Sequence, residues 1–222
     1  MMSVQPAIRI MAVEAVATGF LLIAIVGSGI TAERLCGGNV GLTLLANALA
    51  TGCALVALIT AFGAHMNPVV TLAAAIEGAA PWRQVPARIG AQIAGGVGGV
   101  WLTHLMFGLP LCQLSHRARN GAGQWVAEVV ATFGLLAVIA GSRRRGEAAV
   151  VVAVAAYITG AYWFTASTAF ANPAVSIARA LSDSFAGIRP IDVPAFVAAQ
   201  LVGLALALPL LGRPTEAGGA GA

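Results

Sequence analysis

The sequence predicts an all-α membrane protein with six transmembrane helices plus two re-entrant half-helices, arranged as an inverted repeat. Three observations carry this reading. Hydrophobic residues make up 59% of the 222-residue chain and charged residues only 9%, with no lysine, whereas a soluble domain carries about 25% charge. Six apolar stretches reach the ~20 residues that a helix needs to cross a bilayer. Two near-copies of one short motif, His65-Met66-Asn67-Pro68-Val69 and Phe170-Ala171-Asn172-Pro173-Ala174, lie 105 residues apart. Each is followed by an apolar segment too short to span.

The six stretches are residues 8–31, 40–62, 84–107, 124–142, 147–168 and 190–211. Mean hydropathy is +0.90, and the high Gly and Ala content suits close helix contact in lipid, where small residues let backbones approach. The first stretch begins like a signal peptide, with Arg9 before an apolar run. It is too long for one, carries Glu14 and lacks a clear cleavage site, so it reads as a retained span. Residues 1–211 form one domain, with repeat one at about 8–107 and repeat two at about 124–211. Residues 212–222, rich in Gly and Ala, read as a disordered tail.

Arginine placement orients the chain. Six spans put both termini on one side, and that side holds Arg9, Arg83, Arg88, Arg143, Arg144, Arg145 and Arg213. The other holds Arg34, Arg117, Arg119, Arg179 and Arg189. Arg143–Arg145 crowd a very short loop, where positive-inside counting weighs most, so both termini are expected in the cytoplasm of a plasma membrane. The net charge of +4 needs no nucleic acid to explain it. Cys36, Cys53 and Cys112 have no metal-ligand spacing and read as isolated small residues, with an outer Cys36–Cys112 pair as the alternative. No cofactor or metal is implied, and no phosphate loop or nucleophile–base pair suggests an enzyme.

The halves match beyond Asn-Pro. Glu14-Ala-Val-Ala-Thr18 recurs as Glu128-Val-Val-Ala-Thr132, and Gln92 recurs as Gln200, at offsets of 114 and 108 residues. Three spans per unit is an odd number, so the second unit enters the membrane from the opposite side, and the solute site falls near mid-bilayer between the units. Asn at the N-cap satisfies helix N–H groups, and Pro at the first helical position gives up a donor that had no partner. Two such N-termini meeting at the midplane bring about half a positive charge each. One Asn-Pro alone would read as a turn; two in register do not.

The chain resembles the aquaporin/aquaglyceroporin (major intrinsic protein) family over about residues 8–211. The resemblance rests on Gly63-Ala64-His65-Met66-Asn67-Pro68-Val69-Val70-Thr71, on Asn172-Pro173-Ala174 and on the Glu-x-x-x-Thr of each half. It implies a pore in each subunit of a homotetramer, with Asn67 and Asn172 as central donors. Backbone carbonyls of Gly63, Ala64, His65, Thr168, Ala169 and Phe170 would line the half-channels, and Glu14 and Glu128 would hold the loops. An acid in a span is also a candidate proton relay, but an acid at one place in both halves, beside free N–H groups, reads as a structural acceptor. His65 would border the cytoplasmic half of the pore; a core or interfacial histidine is the alternative.

The departures bear on selectivity. Val69 stands where the family has Ala, and the stretch before Gly63 is shorter than usual. At the outer constriction the family has Arg directly after Asn-Pro-Ala; this chain has Val175. By counting from Asn172, the other constriction positions are Gly160 and Ala169, with Thr51 on the second span, or Asn47 if the short loop is not allowed for. The set Thr51, Gly160, Ala169, Val175 is small and weakly polar, which predicts a wide aperture. Arg179 lies one turn beyond Val175, and its spacing of four to Asp183 predicts an ion pair. The alternative is that Arg179 returns positive charge to the outer vestibule.

The expected function is a passive channel for small uncharged solutes. Glycerol-like polyols, neutral metalloid hydroxides such as arsenous acid and water are the candidates, and the lipid bilayer is the only other partner implied besides further copies of the chain. The rival is a proton-coupled secondary transporter that titrates Glu14 and Glu128.

Overall fold

The computed structural model describes residues 5–211, and side chains from residue 8 onward; the tail expected at 212–222 lies outside the described residues. Eight α-helices run in order: α1 (Gln5–Leu35), α2 (Val40–Phe62), α3 (Pro68–Ile76), α4 (Val85–Phe107), α5 (Ala122–Ser142), α6 (Glu147–Phe164), α7 (Pro173–Arg179) and α8 (Val193–Ala207). Single 3-10 turns at Trp82–Gln84, Arg143–Arg145, Pro190–Asp192 and Leu208–Leu210 complete the order.

Among the described residues, five segments are long and apolar enough to cross a membrane: Ile8–Leu35, Val40–Phe62, Ala122–Arg145, Glu147–Phe164 and Pro190–Leu210. The sixth crossing is α4, equally long at 23 residues. Its apolarity is diluted by Arg88, Gln92 and His104, side chains that turn inward: Gln92 and His104 are fully buried and the Arg88 side chain is 15% exposed. Two boundaries differ from expectation by four residues. α1 runs four residues past the expected Thr31. α6 ends at Phe164 rather than residue 168, because Thr165 is extended and Thr168 and Ala169 take left-handed backbone angles. The last span is a 15-residue α8 lengthened by a 3-10 turn at each end.

Packing repeats the inversion. α1 lies against α4 and α2 as α5 lies against α8 and α6, while α2 meets α6 at the seam. Each half-helix crosses to the other unit, α3 touching α8 and α7 touching α4. The two longest interfaces depend on glycine: a Cβ on Gly95 would collide with the Ala15 carbonyl, and one on Gly203, 108 positions on, would lie 2.7 Å from the Val129 carbonyl. Ala15 and Val129 directly follow Glu14 and Glu128, so the close approach is what brings each carboxylate over its loop. The outward faces carry exposed apolar side chains such as Phe20, Leu49, Leu102, Val126 and Val152, as lipid-facing helices require.

Candidate functional site: a cavity between two half-helices

Both half-helices begin as their sequence dictates. Asn67 is extended (φ −154°), and its Oδ1 accepts from the Val69 N–H at 3.0 Å. Asn172 (φ −158°) accepts from Ala174 and Val175 at 3.0 and 3.2 Å. The amide nitrogens reach across the midplane: Asn67 Nδ2 donates to the Ala171 carbonyl at 2.8 Å, and Asn172 Nδ2 to the Met66 carbonyl at 2.7 Å. An amide nitrogen carries two hydrogens, so each Asn keeps one for the cavity that both line.

The loops leading to these caps hold residues in left-handed conformation, Met66 (φ 52°) in the first and Thr168, Ala169 and Ala171 in the second. Such angles cost energy for residues with a Cβ and persist only where the surroundings fix them. Here the carboxylates do so. Glu14 accepts from the N–H groups of His65 (3.1 Å) and Met66 (2.9 Å); Glu128 accepts from those of Phe170 and Ala171, both at 2.9 Å. Gln92 donates to Glu14 and Thr71, and Gln200 to Glu128 and Ser176. The two carboxylates differ in one respect. Glu14 also pairs with Arg88 at 3.2 Å, whereas the contacts of Glu128 are all neutral donors. His65 lines the cavity and bonds Thr71 through Nδ1 at 3.0 Å.

The cavity measures about 810 Å³. It begins where Arg143 and Glu147 flank the α5–α6 junction and ends at Tyr162, Phe170, Val175 and Arg179. Glu147 to Tyr162 is fifteen helical steps, about 22 Å, most of the ~30 Å hydrocarbon thickness. Much of the wall is aliphatic, from Leu21, Ile25, Leu55, Val70, Leu135 and Val154 among others. Gly63, Ala64, His65, Ala169 and Phe170 contribute to it; Thr168 does not, and its hydroxyl instead accepts from Arg119 at 3.3 Å.

At the far end the structure rearranges the expected constriction. Thr51, Ala169 and Val175 are on the wall, 2%, 2% and 3% exposed. Asn47 is not: its amide ties α2 to Ile25 and Ser28 of α1. Gly160 is not on the wall either. The α6 wall residues Val151, Val154, Ile158 and Tyr162 follow spacings of three and four, and residue 160 sits about 200° around the helix from 158 and from 162. A Cβ there would meet Phe164. Ile158 and Tyr162 are the α6 side chains on the wall nearest Gly160 in sequence, the Tyr162 hydroxyl lying 3.2 Å from that of Thr51.

Arg179 does not pair with Asp183. It is buried at the cavity end, its guanidinium carbon 3.4 Å from the centroid of the Phe170 ring and its Nε donating to the Ala186 carbonyl. Asp183 turns outward to His116, accepting from its backbone N–H at 2.9 Å and meeting its Nδ1 at 3.0 Å. The His116 N–H holds the Asp183 carboxyl below its usual range. Arg119, missed in the sequence, braces the second loop: it donates to the carbonyls of Gly187 (2.7 Å) and Ser167 (3.2 Å) and lies 4.9 Å from the Phe170 centroid. Burial pushes its guanidinium down to about 10, so it stays charged at neutral pH. The three cysteines are free.

A cavity threading most of a bilayer between two inverted, Asn-capped half-helices defines an integral, multi-pass membrane channel. Comparison with known proteins agrees. A family model described as major intrinsic protein matches residues 1–156. The chain is 48% identical over 202 residues to Aquaglyceroporin AqpS of Rhizobium meliloti (strain 1021), covering 89% of this chain and 86% of that protein. It is 36% identical over 138 residues to Aquaporin NIP1-4 of Oryza sativa subsp. japonica, spanning about half (49%) of that protein's length. The X-ray structure of the aquaglyceroporin from Plasmodium falciparum superposes with a TM-score of 0.67 at 19% identity, covering 91% of this chain and 94% of that one. The chain belongs to the major intrinsic protein family, and it is a passive transmembrane channel for small uncharged solutes.

Proposed function

We propose that the channel conducts glycerol-like polyols and neutral metalloid hydroxides such as arsenous acid, with water as a passenger. We place it in a plasma membrane as a homotetramer with both termini cytoplasmic. One observation carries the solute reading: an 810 Å³ cavity with a largely aliphatic wall and two amide nitrogens at its waist. Such a wall compensates poorly for lost hydration, so a solute with carbon surface crosses at lower cost than its hydroxyl count suggests. Asn67 and Asn172 act as the central donors, and Glu14 and Glu128 as loop supports. The similarity to Aquaglyceroporin AqpS supports the polyol class, and the Arg143–Arg145 turn supports the orientation.

Stopped-flow swelling of proteoliposomes tests this over a panel of water, glycerol and arsenous acid. The reading expects fast, non-saturating glycerol flux that ignores a pH gradient. Saturable flux that follows a pH gradient would favour coupled transport through Glu14 and Glu128. Against that alternative, all four carboxylate oxygens accept from backbone N–H groups, and protonating one oxygen would weaken the bond it accepts.

A further inference from the structure

We infer that Arg179, with Tyr162 on the same cavity lining, discriminates among solutes at the outer constriction, a role the chain does not give to the residue directly after Asn172-Pro173-Ala174. The inference rests on the channel reading and deepens it.

Arg179 is the last residue of α7 and sits four positions beyond Val175, on the same face and about 6 Å further along the axis. It is 2% exposed, yet it forms part of the cavity wall. A guanidinium carries five N–H donors. One of them, on Nε, goes to the Ala186 carbonyl. Among the described residues no carboxylate pairs with Arg179, and neither terminal nitrogen makes a hydrogen bond. Those nitrogens are also absent from the sealed polar atoms that lack a partner, so they open onto the cavity. A buried guanidinium with four unspent donors is costly unless something arrives to accept from them. Its plane is fixed for that purpose: Phe170 lies beneath it and is itself packed edge-on against Phe196, centroids 5.1 Å apart.

Tyr162 and Thr51, on the same cavity lining, supply the complement. The Thr51 hydroxyl donates to the Asn47 carbonyl at 2.8 Å, so in its 3.2 Å contact with Tyr162 the phenol is the donor. That leaves lone pairs on the Tyr162 oxygen as acceptors. Donors from Arg179 and an acceptor from Tyr162, with the apolar Val175 and Ile25 also on this stretch of wall, match a carbon-borne hydroxyl, which needs one of each and a dry flank. A short polyol fits this pattern one hydroxyl at a time. A solute that only accepts hydrogen bonds, or one too bulky for this end of the cavity, does not.

The test is a permeability series in proteoliposomes for water, glycerol and a five-carbon polyol, with wild type, Arg179→Ala, Arg179→Lys and Tyr162→Phe. Losing a charged hydrogen bond at the constriction is expected to change a permeability ratio by about tenfold. Arg179→Ala should raise the five-carbon-to-glycerol ratio by about that factor, and Arg179→Lys should fall between it and wild type. Tyr162→Phe should lower glycerol relative to water while the size limit stays put. A purely structural role would lower all fluxes together and leave the ratios alone. If Arg179→Ala does not fold, Arg179→Lys and Tyr162→Phe carry the test. Wild-type-like ratios in the folded variants would overturn the inference while the channel reading stands. A wild-type protein that conducts none of the panel would overturn both.

Discussion

Asn67 and Asn172 hold each other in place through the residues that precede them, Asn67 donating to the carbonyl of Ala171 and Asn172 to that of Met66, at 2.8 and 2.7 Å. Each asparagine is therefore at once a helix cap and a cross-brace, with its second amide hydrogen left for the cavity that both residues line. Met66 and Ala171 can aim their carbonyls across the midplane because both are left-handed, at φ 52° and 47°, and the buried glutamates hold them so.

The brace makes Asn→Asp harmful in two ways. In Asn67→Asp and Asn172→Asp a carboxylate oxygen faces the carbonyl that had accepted the amide hydrogen, and the spare donor to solute is lost as well. An unsatisfied buried carbonyl costs about 1–3 kcal/mol. Both substitutions should lower the thermal midpoint and cut glycerol flux sharply. Wild-type flux in either folded variant would remove Asn from the conduction path.

The two glutamates should not respond alike, although their sequence settings are near-copies. Replacing either by Ala strands two loop N–H groups, at about 1–3 kcal/mol each. Gln keeps an acceptor, so Glu128→Gln should be much milder than Glu128→Ala. Glu14→Gln is different, because it leaves Arg88 buried without the carboxylate it meets at 3.2 Å, and removing one partner of a buried pair is strongly destabilising. Thermal unfolding in detergent should rank Glu128→Gln above Glu14→Gln. Equal losses would mean that the Arg88 contact contributes nothing.

Much of this was legible in the chain because it is local. The spans follow from apolar run length, the half-helices from Asn-Pro, and the pairing of Glu14 and Glu128 with their loops from the repeat itself. What was not legible depends on helix rotation and on distant partners. Counting back twelve from Asn172 gives Gly160, but a count along the chain does not fix the rotation of α6. The row of Ile158 and Tyr162 comes to the wall instead. Likewise Arg179 and Asp183 have helical spacing, but α7 ends at Arg179 itself, so the next turn that would align them does not exist. Arg119 could not be found at all from local pattern, since its partners lie about 50 to 70 residues away.

Helix approach is testable at glycine. Gly95→Ala drives a methyl into the Ala15 carbonyl, and Gly203→Ala brings one to 2.7 Å from the Val129 carbonyl. Overpacking of this kind costs about 1–3 kcal/mol, and each shift also moves a glutamate off its loop, so flux should fall with stability. Gly98→Ala is the control. A Cβ there meets nothing within 4 Å, and alanine is the better helix former. A Gly95→Ala protein as stable as the Gly98→Ala control would place α1 and α4 further apart than described.

The outer loop carries a pH-dependent tie. The folded Asp183 carboxyl titrates below its ordinary 3.8, chiefly because the His116 backbone N–H bonds the ionised form. A depressed carboxylate contributes stability that is present above its unfolded value and is lost as pH falls through the folded one. Hydrogen exchange at the His116 amide, corrected for intrinsic rate, should therefore accelerate as pH falls below about 3.8. Asp183→Asn should lack that acceleration. Its persistence in Asp183→Asn would assign the titration to another group.

Val175→Arg restores a cation directly after Asn-Pro-Ala, in a chain that already has one a turn away. Val175 is 3% exposed on the cavity wall, so an arginine there must project into the aperture beside Arg179. Two guanidinia about 6 Å apart along one helix face repel each other and narrow the passage. Glycerol flux should drop more than water flux, and arsenous acid should follow glycerol. Proton exclusion should be unchanged, because the two half-helix N-termini keep about half a positive charge each at the midplane whatever side chain stands further out. Large proton conductance in the wild type would show that this field is too weak and that the family's arginine is needed for the barrier. An unchanged water-to-glycerol ratio in Val175→Arg would put the narrow point elsewhere, at the level of Arg179 and Tyr162.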